Sequence, residues 1–507
     1  MEKKTISRRD FIKGAAVAAG AGVLAACAPQ TIIQTQVVEK IATQVVQQVQ
    51  TQIVEKVVEV TPTPGPTTPP EPVVLDIWWN TTVTDLNAEW KADPNNDVFK
   101  KEWYWGGLAR VKFKPWLEKH PGVSANISTH SWDADLRQNQ LMALAAGIIP
   151  DTTYGEAYVN EFVQLGVYSP LADDVVKLFS PGTVRGATGK DGKVYGLPKS
   201  SGADVLFVHL DQLQKFGLPT DKLPTTWDEL VTLAKAVSAK NYSAKWGNTA
   251  YYTYGPAPTT YGTAMRILHW FNQNDAPLGS DLGEPTANAA KAVDTWLFHN
   301  DLMWTSTENL ILQAESEAGS GKLFNDGVIV LKPGWNNDAT SVGSPGEGQQ
   351  PVNATAIQFP LPSGGKPATI LIGNDMESAF KNGKNPDMAI TEVQDTVQDE
   401  ASQVFLADNA GIWIPALASL LNQWETYDKL GGYKTDVAKK IVRITMKTLL
   451  DGGAGPIPGW PKNGSQIWAE WNNSYQRIWK GKLKADDVKK ELDTLQTTIT
   501  TLLAKTG

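Results

Sequence analysis

Among the side chains able to make or break bonds, this chain is rich in carboxylates and poor in everything else, with 54 Asp and Glu against 5 His and one Cys. Two carboxylates roughly 5 to 10 Å apart across a cleft are what glycoside hydrolysis needs. No catalytic motif frames such a pair. A hydrolytic Ser/His/Asp set would need a G-x-S-x-G turn to present its serine; there is none, and the histidines are scattered. No H-x-x-x-H pair, cysteine ligand set or Gly-rich phosphate loop is present either. These residue types predict a protein that is not an enzyme and takes no metal or cofactor. What the chain holds in quantity is flat aromatic surface, with 19 Trp and 13 Tyr.

Cys27 is the exception, because its neighbours specify a chemistry. A charged start, Ser7 to Lys13 with Arg8 and Arg9 before Phe11, leads into an apolar Ala/Gly-rich run from Gly14 to Val23 and then Leu24-Ala25-Ala26-Cys27. That order is a signal peptide with a small-residue cleavage site. The arginine pair resembles a twin-arginine export signal, and Leu-Ala-Ala-Cys resembles the lipobox in which the cysteine is acylated. The apolar run is short of the roughly 20 residues needed to cross a bilayer. A lone cysteine also rules out an intramolecular disulfide, which suits folding in a reducing compartment before export. Residues 1–27 are thus expected to be a twin-arginine lipoprotein signal, and the acyl chain on Cys27 to hold the protein to the outer face of the membrane.

The net charge of −8 and a pI near 5.4 argue against nucleic acid as a partner, since phosphate binding needs basic clusters. Segments starting at Thr35, Thr43 and Thr51 read TQVVEKIA, TQVVQQVQ and TQIVEKVV, and Thr61 to Pro72 is rich in proline. Three short copies without an aromatic residue cannot build a core, and the proline run favours an extended spacer. Residues 28–72 therefore read as a stalk. A self-associating coil is the competing reading, with Val and Ile recurring at three- and four-residue spacing.

The folded part has to start at Val73, where VVLDIWW suits a buried strand. Strand and helix signals then alternate. Val111 to Lys119 predicts a helix stopped by His120-Pro121-Gly122, Val123 to Ser128 a strand, and Asp135 to Ala146 a helix closing at Gly147. Val205 to Val208 predicts another strand, and Thr226-Trp227-Asp228-Glu229 a helix start. Such alternation predicts α/β architecture with parallel strands and a ligand at their carboxyl ends.

Several of these segments also resemble one family. Phe113 to Val123 (FKPWLEKHPGV), Leu141 to Asp151 (LMALAAGIIPD), Asp191 to Pro198 (DGKVYGLP), Pro224 to Leu230 (PTTWDEL), Phe324 to Gly327 with Gly334-Trp335, and the tail from Trp479 to Leu503 follow the motif order of the family 1 extracellular solute-binding proteins. These are the sugar receptors of ABC importers related to maltose-binding protein. The chain departs from the pattern at Phe207 to Leu210 and Val328 to Leu331, both still strand-like, and adds Lys91 to Gly107 and Asn336 to Gln350 as surface insertions.

The resemblance implies an α/β, two-lobed periplasmic-binding-protein fold of type II, maltose-binding-protein-like, with interlobe hinge strands. It implies a first lobe from 73–199 and 371–420, and a second from 200–370 and 421–507. It further implies an ABC permease as partner, a mono- or oligosaccharide as ligand and a globular part that is monomeric. A related receptor for glycerol phosphate or polyamine, or an exported carbohydrate-active enzyme, is the alternative.

A pyranose has apolar C–H faces and a polar rim, so its site needs aromatic walls and a few placed polar groups. Trp335 and Trp468 match family stacking positions, with core packing as their competing role. Asn80 and Thr81 follow the first strand, and Tyr154, Glu156 and Tyr158 follow Pro150-Asp151. Tyr252 and Tyr254 lie in an aromatic cluster, and Asp375 follows Gly373-Asn374 at the second crossing. Trp78 and Trp79 point to opposite faces of one strand, so at most one should face a ligand.

Overall fold

The computed structural model describes residues 72–91, 102–155, 158–240, 250–252, 267–280, 283–303, 312–314, 322–343, 352–369, 375–451, 460, 463–481 and 483–505. Arg8, Arg9, Cys27, the stalk, Glu156 and Tyr254 lie outside them. Backbone contacts divide the chain into two units, one of 1–62, 138–148 and 505–507 and one of 63–137 and 149–504. In the first, the described part is residues 138–148 and 505. The second contains every described strand.

In chain order, β1 (Val73–Trp79) leads to α1 (Trp103–Lys119), β2 (Val123–Thr129), α2 (Asp133–Ala146), β3 (Thr152–Gly155), α3 (Val159–Leu165) and β4 (Leu197–Pro198). Next come β5 (Asp204–His209), α4 (Trp227–Lys240), β6 (Ala250–Tyr252), α5 (Ala292–Met303), β7 (Leu312–Ala314), β8 (Leu331–Trp335), α6 (Asp338–Gly343) and β9 (Ala354–Ile357). Finally β10 (Met376–Ala379) precedes α7 (Pro386–Val397), α8 (Glu400–Asn409), α9 (Asp436–Asp451), α10 (Gly464–Gly481) and α11 (Ala485–Ala504).

The first sheet has the order β2-β1-β3-β10-β4, and the second β8-β5-β9. β1 runs parallel to β2 from Val73↔Val123 to Trp79↔Thr129, and parallel to β3 at Ile77↔Thr152. The expectation of parallel strands holds again at β6 and β7, from Ala250↔Leu312 to Tyr252↔Ala314 in a separate two-stranded sheet, and not elsewhere among the described strands. β10 is antiparallel to both β3 and β4, and the second sheet is antiparallel throughout. The physical reason is the chain path: β10 re-enters the first sheet after the whole second sheet has been made, so no right-handed helical crossover joins it to its neighbours.

Local signals explain the element ends. Glu229 accepts hydrogen bonds from the backbone N–H of Thr225 (2.8 Å) and Thr226 (3.2 Å), while the Thr226 hydroxyl accepts from Glu229 N–H (3.3 Å), a capping box that starts α4. After β1 the chain reaches α1 eight residues earlier than Val111, at Trp103, and Pro115 sits inside the helix. The supposed insertion 91–107 is therefore partly core, since Trp105, Gly106 and Gly107 are buried in α1. Strand β8 starts at Leu331, not Val328, and pairs with β5 from Val208↔Leu331 to Asp204↔Trp335.

Each sheet has its own apolar cluster. Leu75, Ile77, Trp79, Trp105, Leu108, Phe113 and Phe405 pack under the first sheet. Leu206, Val208, Trp296, Ile467, Trp468, Trp471, Leu492 and Ile499 pack with α4, α5, α10 and α11 against the second.

Candidate binding site at the carboxyl ends of the first sheet

Strands β1 and β3 end side by side, and residues at those ends are tied to one cation. Lys199, just past β4 and only 2% exposed, points its ammonium at three rings: Trp79 (4.0 Å to the centroid), Tyr154 (4.1 Å) and Trp105 (4.8 Å). Its Nζ donates to Asn80 Oδ1 and lies 3.6 Å from the Asp375 carboxylate. Its backbone N–H donates to Asp375 O (2.9 Å), which binds the first crossing to the start of β10. Burial pushes the Asp375 carboxyl up to about 6, against the pull of Lys199. An ammonium over aromatic faces beside a buried carboxylate satisfies its charge without water.

From this box a row of rings leads toward the second sheet. Trp79 meets Trp105 edge to face (6.3 Å), Trp105 lies 4.8 Å from Trp413, and Trp413 stands at 84° to Trp335, 6.1 Å away. Trp335 ends β8 and is half-buried at the margin of the second apolar cluster. The backbone around Trp413 is fixed on both sides. Trp413 N–H donates to Asn337 Oδ1 (2.8 Å), Tyr433 OH donates to Trp413 O (3.2 Å), and Asn336 Nδ2 donates to Tyr433 OH (3.3 Å). Nearby, Gly411 has φ +67, and a Cβ added at Gly432 would sit 1.9 Å from Gly411 N, so only glycines allow these backbones to pass. Asn336 Oδ1 accepts from Ala203 N–H (3.3 Å), and Ser201 and Ile414 form a two-way backbone bridge (2.7 Å each way).

The expected site residues fall into groups. Asn80, Tyr154 and Asp375 are brought together by Lys199, and Tyr154 OH also donates to Ser131 O (2.9 Å). Asn80 and Thr81 are half-buried at the end of β1. Tyr158 is 3% exposed and packs edge to face on Phe162 (5.8 Å), beside α3. Trp468 is 4% exposed inside the second apolar cluster, so packing is its role in this conformation. Tyr252 closes β6 opposite Ala314 of β7. Trp78 and Trp79 are both buried: Trp78 stacks on His130 (3.7 Å) and Trp79 lies beneath Lys199.

The residues missed were Trp105, Trp413 and Trp132. Trp105 had been assigned to a surface insertion, and Trp413 stands in GIWIPA without a strand or helix signal. Trp132, 49% exposed just beyond β2, adds open aromatic surface near Ser131. The signal that could have found Trp413 is its place between Gly411 and Pro415, residue types that mark a turn.

Among the described residues there is no group of three or more His, Cys, Asp or Glu able to hold a metal, and no helix long and apolar enough to cross a membrane. The half-buried Trp413 and Trp335, with Asn80 and Thr81 half-buried at the end of β1, offer aromatic faces and polar groups of the kind that suit a small molecule with apolar faces and polar edges.

Comparison with known proteins agrees with this reading of the fold. The profile described as "Bacterial extracellular solute-binding protein" matches residues 112–408, and the twin-arginine translocation signal matches residues 5–25. The chain belongs to the bacterial extracellular solute-binding protein family. A binding protein of Brucella abortus (strain 2308) is 30% identical over 164 residues, covering 30% of this chain and 39% of that protein. The lactose-binding protein of Rhizobium radiobacter is 30% identical over 159 residues, covering 30% of this chain and 35% of that one. The matched stretch thus spans well under half the length of these relatives. The crystal structure of the cyclic alpha-maltosyl-1,6-maltose binding protein from Arthrobacter globiformis covers 84% of this chain and 99% of its own, with a TM-score of 0.63 at 15% identity. That likeness shows the shared two-lobed, maltose-binding-protein-like fold.

Proposed function

We propose that this protein is the lipid-anchored receptor of an ABC importer, which binds an uncharged mono- or oligosaccharide between its lobes, leaves it unaltered and hands it to membrane permeases. The observation that carries the reading is the aromatic row from Trp79 to Trp335, which starts at the carboxyl end of β1 and reaches the end of β8 in the second sheet. Family membership and the sugars named for similar proteins support it. In this reading 73–199 and 371–420 form the first lobe, and 200–370 and 421–507 the second. A ligand touching both favours the closed arrangement over the open one. Trp335 stacks on the sugar, while Thr81 and Asn80, the latter held by the buried Lys199–Asp375 pair, meet its hydroxyls.

Calorimetry of residues 73–507 against a sugar panel tests this: reversible binding without new products is expected, and release of product from any glycan overturns it. Cys27 carries the lipid and residues 28–72 are the spacer. Labelled fatty acid should enter the native precursor and not Cys27→Ser; label in the mutant ends the anchoring proposal. Replacing Arg8 and Arg9 by Lys should trap folded precursor in the cytoplasm. Unimpaired export without the folded-protein translocase would show another route.

A further inference from the structure

Two tryptophans of this chain hold backbone angles that bulky residues avoid. Trp103 has φ 41 and Trp413 has φ 42, both in the left-handed region. Such strain persists where surrounding contacts over-determine it, often at ligand clamps. Both residues belong to one continuous row. Trp103 lies 5.3 Å from Tyr104 and 6.4 Å from Trp105, Tyr104 lies 5.8 Å from Trp90, and Trp105 passes the row on to Trp413 and Trp335. Five of these six residues are half-buried, Trp105 alone being closed.

The outer end of the row is held as firmly as the inner. Trp90 Nε1 donates to Trp103 O (2.8 Å), and Arg110 on α1 donates to Asp85 O (2.8 Å) and Ala88 O (2.9 Å), which ties the loop carrying Trp90 to the helix carrying Trp103. At the inner end, the buried indole N–H of Trp413 meets no acceptor among the described residues. A buried donor without a partner calls for an explanation, and a hydroxyl-rich ligand beside the ring supplies the acceptor.

Resting on the sugar-binding reading above, we propose that the rings from Trp90 to Trp335 form one extended platform, so that the ligand is an oligosaccharide long enough to contact Trp335 and Trp103 at once. Trp90, Trp103 and Tyr104 pack on the first apolar cluster, Trp90 5.4 Å from Phe405, yet each stays half-buried, and a monosaccharide at Trp335 would leave that open ring surface unused. Pre-organised rings bind with little ordering cost, which is what the strain and hydrogen bonds provide.

The test is calorimetry of the full exported chain with two homologous series, α-linked and β-linked glucose oligomers from one to six units. Affinity should rise with length in one series, by about tenfold or more from the disaccharide to the longest oligomer. In Trp103→Ala that length gain should shrink by about tenfold, the scale of losing an aromatic anchor. Oxidative labelling of the native protein is a second reading that needs no variant. The long oligomer should protect Trp103 and Trp413, and the disaccharide should leave Trp103 reactive. Binding without a length gain, or equal labelling of Trp103 with and without the long oligomer, overturns the platform and leaves the sugar-receptor reading standing. Failure of both glucose series and of every other sugar in the panel to bind overturns both.

Discussion

The mouth of the first sheet and the interior behind the second are both rich in tryptophan, yet the same side chain is held differently in each. At the mouth, Trp79 and Trp105 lie under a lysine ammonium, and Trp413 and Trp335 remain half-buried. Behind the second sheet, Trp296 and Trp471 are fully closed and meet each other at 5.5 Å, with Phe271 5.6 Å and Tyr475 5.7 Å away. A tryptophan surrounded by apolar rings is cohesion. One left half open, as Trp413 and Trp335 are, keeps a face for something else.

The largest effect should therefore come from the closed set. Trp471→Ala opens a cavity that the neighbouring large rings cannot fill, and should cost about 3 to 5 kcal/mol in a denaturant titration. A loss below about 1 kcal/mol would mean that this interior is not the tightly packed one described. Charge should matter almost as much on the other side. Lys112 of α1 is wholly buried, paired with Glu377 of β10 and 3.5 Å from Glu392 of α7, with the Thr396 hydroxyl also on its Nζ. Lys112→Met leaves two buried carboxylates facing each other and should cost about 3 to 5 kcal/mol at pH 8. The cost should fall at pH 5, because one of the two acids is then neutral.

That pH dependence has a definite sign. Burial raises the Glu392 carboxyl from 4.5 to about 7, the nearby Lys112 pulling it back only in part. The unfolded chain releases this proton near 4.5 and the folded chain holds it to about 7, so between those values the native state binds more protons and stability declines as pH rises. Glu392→Gln keeps the shape and removes the acid. Relative to the native chain it should gain up to about 3 kcal/mol at pH 8 and little at pH 4.5. Parallel thermal unfolding curves for both proteins across that range would contradict the buried triad as described.

Much of the frame was legible in the sequence because short-range chemistry writes it. The helix stop at His120-Pro121-Gly122, the Gly147 close of α2 and the Thr226 capping box all lie within a few residues of the features they predict. What was not legible depends on partners far along the chain. Lys199 stands directly after the DGKVYGLP motif, where the sequence marks a cation but not its partners; it becomes the centre of the site because β10 brings Asp375 beside it and β1 brings Asn80. Trp105 was hidden for the same reason: nothing local says that α1 starts before Val111, whereas contact with Trp79 and Trp413 requires it. The antiparallel β10 was missed because strand direction follows chain path, which hydrophobic pattern does not record.

The sharpest test of the comparison uses two tryptophans that family resemblance treats alike. Trp335 is half-buried at the end of β8, with its ring against Trp413; Trp468 is 4% exposed on α10 among Ile467 and Trp471. If openness decides the role, Trp335→Ala should weaken sugar binding by about 1 to 3 kcal/mol, the range of a truncated anchor, while folding stability changes by about 1 kcal/mol or less. Trp468→Ala should show the opposite balance, a stability loss of about 3 kcal/mol measured in denaturant with affinity of the folded fraction nearly unchanged. Equal loss of affinity in both variants would mean that the lobes rearrange on binding and expose Trp468, so that the closed core seen here belongs to one state of the protein only. Undiminished binding in both would remove the aromatic row from the mechanism altogether.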